Sequence, residues 1–191
     1  MIKHPILLLA ALFLLTGCSY GKYGYDKDTR AKADMRFIGI PALAGAVGTS
    51  FPIGDGYSLT ARHVAKIMIM DVVAYHEVCD IALIRAGKGR VDFRPAVAGE
   101  NVRMYGYSAL STLPVSSRGI ASYQDHYDGC PAFASTSGVV QGMSGGPVYG
   151  DDDAVVGVVI AYNKRLGVSV FIPWQSIDTW VEEKRATHRT A

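Results

Sequence analysis

Three short stretches carry the residue types that together do nucleophilic chemistry: Thr60-Ala61-Arg62-His63-Val64, Cys79-Asp80-Ile81-Ala82-Leu83-Ile84 and Gly142-Met143-Ser144-Gly145-Gly146-Pro147. A serine hydroxyl is a weak nucleophile near neutral pH. It needs an imidazole to take its proton and a carboxylate to hold that imidazole in one tautomer. In chain order these stretches offer a base in His63, an acid in Asp80 and a nucleophile in Ser144. The glycines beside Ser144 allow a tight turn that aims the N–H groups of Gly142 and Ser144 at one point, where an oxyanion would sit.

Each of these residues has a plainer reading. His63 follows an alternating strand pattern and precedes Val64-Ala65, a context that His4, His76, His126 and His188 lack. Asp80 competes with Asp71, which follows an apolar run as a turn residue would, whereas Asp80 opens Asp-Ile-Ala-Leu-Ile as an acid at a strand start does. As a merely structural residue, Asp80 would cap its strand and Ser144 would sit in an ordinary glycine-rich turn. The Ser144 segment also fits Gly-x-Ser-x-Gly, the nucleophile elbow of α/β-hydrolases, but that fold places acid and base after the serine. Here both candidate partners precede it, and only 47 residues follow.

The order His, Asp, Ser and the Gly-x-Ser-Gly-Gly-Pro context resemble the chymotrypsin-like serine protease family, most closely its compact bacterial members. Gly48 to Ala61 looks like the strand, turn and strand leading to the family's histidine, Gly99 to Tyr107 like a middle strand, and Arg118 to Ser122 like the strand after the connection between barrels. Val155 to Ile160 and Val170 to Pro173 fall where the last two strands belong. The resemblance implies an all-β, two-barrel fold with a C-terminal helix. It also implies catalysis by His63, Asp80 and Ser144 through an acyl-enzyme, and an oxyanion hole from Gly142 and Ser144. The first specificity pocket would have Gly138 at its base and Ile160, Ala161 and Tyr162 along its wall. No acid stands at that base, and Val159 stands where glutamate-specific relatives have a histidine, so the expected residue before the scissile bond is small or medium and apolar. Two departures stand out: Met143 replaces the usual Asp or Asn, and 17 residues separate His63 from Asp80, fewer than the family usually has. A protease-like binding lipoprotein that keeps the fold without hydrolysis is the alternative reading.

The elements that must position these residues read as short Val, Ile, Leu, Tyr and Phe runs broken by Gly, Pro, Asp and Ser. Strands are expected at Tyr57 to Ala61, Ile67 to Ala74, Ile81 to Ala86, Val102 to Tyr107, Ala154 to Ala161 and Val168 to Ile172. After Pro173, Ile177, Trp180, Val181 and Lys184 recur at three and four residues, the stripe of an amphipathic helix. The peptidase domain is expected over residues 36–187, followed by a short tail at 188–191.

The first 17 residues differ in kind: Lys3 and His4, an apolar run from Ile6 to Leu15, then Leu15-Thr16-Gly17-Cys18. The run is short for a membrane span and reads as a secretory signal. Cys18 after Gly17 resembles a bacterial lipobox, so Cys18 is expected to be the lipidated first residue and Ser19 to direct it to an outer membrane, facing the periplasm. Residues 18–35, rich in Gly, Tyr, Lys and Asp, read as a flexible tether. With Cys18 acylated, Cys79 and Cys130 remain, either bridged, as suits an oxidising compartment, or two separate buried thiols. A net charge of +2 gives nucleic-acid binding no support. Neither a metal-ligand spacing nor a phosphate-binding loop is present, so no metal or cofactor is expected. The partners expected are a protein or peptide substrate and the lipid bilayer.

Overall fold

The computed structural model describes residues 19–20, 22–28, 32–40 and 44–189. The signal segment 1–17 and the lipidation candidate Cys18 lie outside the described residues. The chain runs through β1 (Ser19–Tyr20), β2 (Gly24–Tyr25), β3 (Asp34–Ile40), β4 (Ala44–Gly54), β5 (Tyr57–Ala61), helix α1 (Arg62–Ile67), β6 (Val72–Tyr75) and β7 (Ile81–Arg85). It continues through β8 (Asn101–Tyr107), β9 (Pro114–Tyr127), β10 (Cys130–Ser135), β11 (Val139–Val140), β12 (Pro147–Tyr149), β13 (Val155–Asn163), β14 (Val168–Pro173) and helix α2 (Asp178–Arg189).

Two antiparallel units result. The first is a five-stranded sheet in the order β3-β4-β5-β7-β6. In the second, β10-β14-β13-β12-β8-β9 closes on itself because the long β9 pairs with β8 through its first half and with β10 through its second. The turn from β4 to β5 is Asp55-Gly56, with φ of 54° and 79°. That left-handed pair matches the twist of a two-residue hairpin, and Asp-Gly tolerates it well.

All five residues of β5 are buried, so its alternation of Tyr57, Leu59 and Ala61 with Ser58 and Thr60 does not separate core from solvent. Its hydroxyls are satisfied instead: Ser58 Oγ donates to Ala86 O at 2.7 Å and Thr60 Oγ1 to Thr49 O at 2.6 Å. One apolar core joins Phe51, Leu59, Ile81 and Leu83 of the first unit to Ile160, Ile172 and Trp180 of the second, so the two units share an interior. A separate core fills the second barrel with Met104, Phe133, Met143, Val148 and Phe171. The expected helical stripe is buried at Ile177, Trp180 and Val181. Arg185, buried on the same helix, reaches back to Asp55 at 2.5 Å and ties α2 to the β4–β5 turn.

Two expectations change. The strand expected from Ile67 to Ala74 begins only at Val72, because α1 runs to Ile67 and the chain then reverses through Ile69 at φ 50°. The apolar run there is split: Ile67 is 53% and Ile69 85% exposed, whereas Met70 packs against the small core of Ala65, Ala82 and Ile84. The described part of the expected tether is docked rather than solvated. Gly24 and Tyr25 pair with Ser116 and Val115, and Asp26 and Asp28 reach the buried Arg103 at 3.0 and 3.3 Å. The Lys32 N–H donates to the Tyr149 hydroxyl at 3.0 Å. Polar composition here marks complementarity to a buried cation instead of solvation, and the folded unit begins before residue 36. No helix among the described residues is long and apolar enough to cross a membrane.

Candidate active site

β5 delivers His63. The strand ends at Ala61, and α1 begins at once, so the imidazole leaves the sheet from the first turn of a short helix. β7 delivers Asp80 from the residue before its first position. The two meet at two points: the His63 N–H donates to Asp80 Oδ1 at 2.9 Å, and His63 Nδ1 lies 2.6 Å from Asp80 Oδ2. A carboxylate there takes the proton of Nδ1, which leaves Nε2 as the acceptor nitrogen. The carboxylate side chain is 27% exposed and the imidazole 43%, so the pair is open to solvent. Asp71, the rival acid, lies elsewhere, in the turn after α1, where its carbonyl accepts from the Arg85 N–H at 2.9 Å.

Ser144 sits in the turn between β11 and β12. Gly142 has φ 104° and Gly145 φ 85°, so both occupy the left-handed region. A Cβ on Gly145 would collide with Thr49 O and Thr60 Oγ1 and come within 2.8 Å of Ala61 N, which places the serine turn against the end of β5 that carries His63. The Gln141 carbonyl accepts from Ala109 N–H at 2.7 Å, and in a trans peptide this aims the Gly142 N–H the opposite way. Met143 N–H donates to Val140 O at 3.1 Å, whereas among the described residues neither Gly142 N–H nor Ser144 N–H has an acceptor. Two unclaimed donors on alternate residues of one tight turn are an anion-binding arrangement.

The Ser144 hydroxyl makes its hydrogen bond to Ile160 O, at 3.5 Å, and among the described residues none to His63. Nucleophile and base hydrogen bonds are often long or misaligned without substrate and tighten in the complex. Met143, which departs from Asp or Asn, is fully buried under the turn, and its sulfur accepts from Val140 N–H at 3.4 Å.

Of the expected pocket residues, Gly138 lies just before β11 and the other three lie on β13. Gly138 is buried, and its carbonyl accepts from Ser117 Oγ. Ile160 is the extra residue of a bulge in β13, where the pairing with β14 shifts between Val159 and Ala161. Ala161 and Tyr162 follow, half-buried, and Tyr162 pairs with Ser169. Sequence reading missed the buried hydroxyls beside Gly138: Ser135 Oγ lies 2.9 Å from Ser137 Oγ, and Ser169 Oγ donates to Ser135 O at 3.2 Å. It also missed Thr49, Arg62 and His76. Thr49 lies inside a stretch read only as strand, and nothing in its type announces a contact across barrels. His76 was set aside for lacking a strand-end context, yet its Nδ1 accepts from the N–H groups of Val78 and Cys79, next to Asp80.

Cys79 and Cys130 form a disulfide with Cα atoms 5.0 Å apart, so the alternative of two separate thiols falls away. The bridge ties the residue before Asp80 to β10 of the second barrel.

Neither a protein family's sequence profile nor a curated protein's sequence matches the chain. Solved structures do. The crystal structure of the Rv3671c protease from M. tuberculosis in its active form matches with a TM-score of 0.65 at 19% identity, covering 78% of this chain and 78% of that one. A serine-to-alanine mutant of Rv3671c from M. tuberculosis H37Rv, in an inactive form, gives 0.64 at 19% identity over 82% of this chain and 87% of that chain. The inactive form of the Rv3671c protease gives 0.62 at 18% identity, over 80% and 88%. At such identity the likeness carries the architecture alone: this chain has the all-β, two-barrel chymotrypsin-like fold with a C-terminal helix.

Proposed function

We propose that this chain is a serine endopeptidase. The observation that carries the reading is the two-point grip of Asp80 on His63, backbone N–H to Oδ1 and Nδ1 to Oδ2, together with a serine turn that packs against the end of β5 and, among the described residues, carries two unclaimed N–H donors. Held this way, the imidazole presents a basic Nε2. Ser144 Oγ attacks the peptide carbonyl carbon as its proton passes to Nε2, and the carbonyl oxygen, now an oxyanion, receives the N–H groups of Gly142 and Ser144. Collapse of this intermediate expels the amine, which takes the proton from the imidazolium and leaves an ester on Ser144. Water then attacks the ester by the same path, with His63 first accepting and then returning a proton. Gly138, Ile160, Ala161 and Tyr162 line the pocket for the residue before the scissile bond, small or medium and apolar. A peptide library cleaved mainly after basic or acidic residues would sink that specificity.

The anchor in this reading is Cys18, acylated after removal of residues 1–17, with the catalytic unit facing the periplasm from an outer membrane. Two or more acyl chains hold a protein firmly where one is marginal. Its support is the motif Leu15-Thr16-Gly17-Cys18. Incorporation of an alkynyl fatty acid that Cys18→Ser abolishes, with the label in the outer-membrane fraction, is the expected result.

The protease reading is tested by labelling the full-length chain with a fluorophosphonate and locating the adduct by mass spectrometry. Stoichiometric labelling on Ser144, lost in Ser144→Ala and His63→Ala, is expected. A folded wild type that takes no label would favour the binding-lipoprotein alternative, to which the departure at Met143 and the bond from Ser144 Oγ to Ile160 O, in place of His63, lend support.

A further inference from the structure

Asp80 is delivered by residues 76–80, the turn of the β6–β7 hairpin, which the His76 N–H closes by donating to Ile81 O at 2.9 Å, and its carboxylate meets His63 with two short contacts. Only β6, four residues long, intervenes between α1 and this loop, so little sheet is available to hold it. Side chains hold the rest of it. The carbonyls of His76, Glu77 and Val78 converge on one guanidinium, that of Arg62, at 3.0, 3.5 and 3.2 Å. On its other polar side the loop turns the N–H groups of Val78 and Cys79 onto His76 Nδ1, at 3.2 and 3.0 Å. The Arg62 backbone N–H adds a bond to the Asp80 carbonyl at 3.1 Å.

We propose that Arg62 and His76 are positioning residues that set the Asp80 carboxylate against His63, replacing with side chains the support that a longer hairpin would provide. This rests on the reading of Asp80 as the acid that orients His63. Arg62 is the residue immediately before His63. It therefore couples base and acid by a second route: its main chain and side chain grip the loop while its own peptide carries His63. A planar guanidinium with several fixed donors suits three converging carbonyls, as an ammonium does not.

The role of His76 requires a neutral ring with Nδ1 as acceptor. Burial favours the neutral form most and keeps its pKa below the usual histidine value; Arg62 and Lys184 act in the same direction, against the opposing pull of Glu77. Trp180 of α2 packs on the ring at 5.1 Å between centroids, and Lys184 of α2 reaches Glu77 at 3.7 Å. The loop is thus braced from α1, from α2 and, through Cys79–Cys130, from the second barrel.

The test uses the full-length chain and the variants Arg62→Met, Arg62→Lys, His76→Phe and His76→Asn. Three quantities are read: kcat and KM per titrated active site on a peptide ester, the downfield NMR resonance of the His63 Nδ1 proton, and the midpoint of thermal unfolding. Arg62→Met and His76→Phe should lower kcat at least tenfold with KM within twofold and shift or broaden the Nδ1 resonance. His76→Asn should recover most of kcat, because an Asn side-chain oxygen also accepts from N–H groups two and three residues onward. Arg62→Lys should not recover it. A fall in unfolding midpoint with kcat per site and the Nδ1 resonance unchanged would overturn the proposal and leave a purely structural clamp. If Arg62→Met or His76→Phe does not fold, the milder Arg62→Lys decides by the same readouts, wild-type values again being the overturning result. The resonance needs no turnover. A wild type that neither labels nor hydrolyses sinks the protease reading, while an unchanged Nδ1 resonance in the variants sinks the clamp.

Discussion

Thr49 donates its N–H to the Ser144 carbonyl at 2.9 Å and its hydroxyl to the Gly142 carbonyl at 2.7 Å. A fully buried residue of β4, in the first sheet, thereby holds both ends of the serine turn of the second barrel, while its own carbonyl takes the Thr60 hydroxyl and its Oγ1 accepts from Tyr107 N–H at 3.0 Å. Thr49→Val removes only the hydroxyl and strands a buried carbonyl and a buried N–H. Each such loss costs about 1–3 kcal/mol. The expected outcome is a destabilisation in that range or above in urea unfolding and a slower rate of fluorophosphonate labelling. Thr49→Ser, which keeps the hydroxyl, should stay near wild type in labelling rate.

Met143 should not tolerate an acid. It is fully buried among Phe133, Val140 and Phe171, with no cationic partner among the described residues of that core. Removing an unpaired carboxylate from water is costly, so Met143→Asp should destabilise by about 3–5 kcal/mol or force the acid to bind a proton. Met143→Leu, which conserves volume, should cost less than about 1.5 kcal/mol. Denaturant midpoints of the two variants check this, and a stable Met143→Asp at neutral pH would refute it.

Acid should loosen the docked N-terminal strap. Burial alone would raise the pKa of Asp26, but hydrogen bonds from Ser116, the Asp28 N–H and Arg103 outweigh it and hold the carboxyl below its ordinary 3.8. A depressed pKa means that the folded state binds fewer protons than the unfolded chain. Stability from Asp26 is therefore complete above its ordinary value and is lost as pH falls below 3.8 through the folded value. Limited proteolysis between residues 20 and 32 should accelerate over that window in the wild type. Asp26→Asn should be cut faster already at neutral pH and show a flatter acid response.

Arg103 is the other half of that strap. It is 8% exposed, stacks on Tyr149 at 4.9 Å and faces Asp26, Asp28 and Asp153. Replacing it with Met leaves carboxylates around a partly buried site without their cation, at a cost of about 3–5 kcal/mol. A thermal midpoint within a few degrees of wild type would contradict this.

The disulfide closes a sequence separation of 51, which in the chain-entropy model stabilises the fold by about 4 kcal/mol. Cys79→Ser with Cys130→Ser should lower stability by up to that amount and lower the labelling rate of Ser144 as well, because Cys79 precedes Asp80. Unfolding curves and labelling with and without reductant check both parts.

Local sequence determined the parts of this protein whose physics is local. Asp55-Gly56 sets the left-handed hairpin turn, the pattern of Ile177, Trp180 and Val181 sets the buried face of α2, and Gly142 and Gly145 stand where the serine turn needs positive φ. The motifs around His63 and Asp80 marked two segments whose side chains meet, and the motif around Ser144 a turn that packs against the end of β5, because their glycines, strand ends and acid each answer a short-range constraint. Tertiary structure decided what depends on distant partners. Acidic residues 26 and 28 look solvated in sequence but face the buried Arg103, far along the chain, whose charge they meet. Ile67 and Ile69 look like core and are not, since α1 consumes the start of that run and a chain reversal turns them outward. Thr49, Arg62 and His76 carry no motif. Their roles arise from backbone carbonyls and N–H groups that other segments leave unpaired, and no residue type or spacing in the linear chain records where those groups will point.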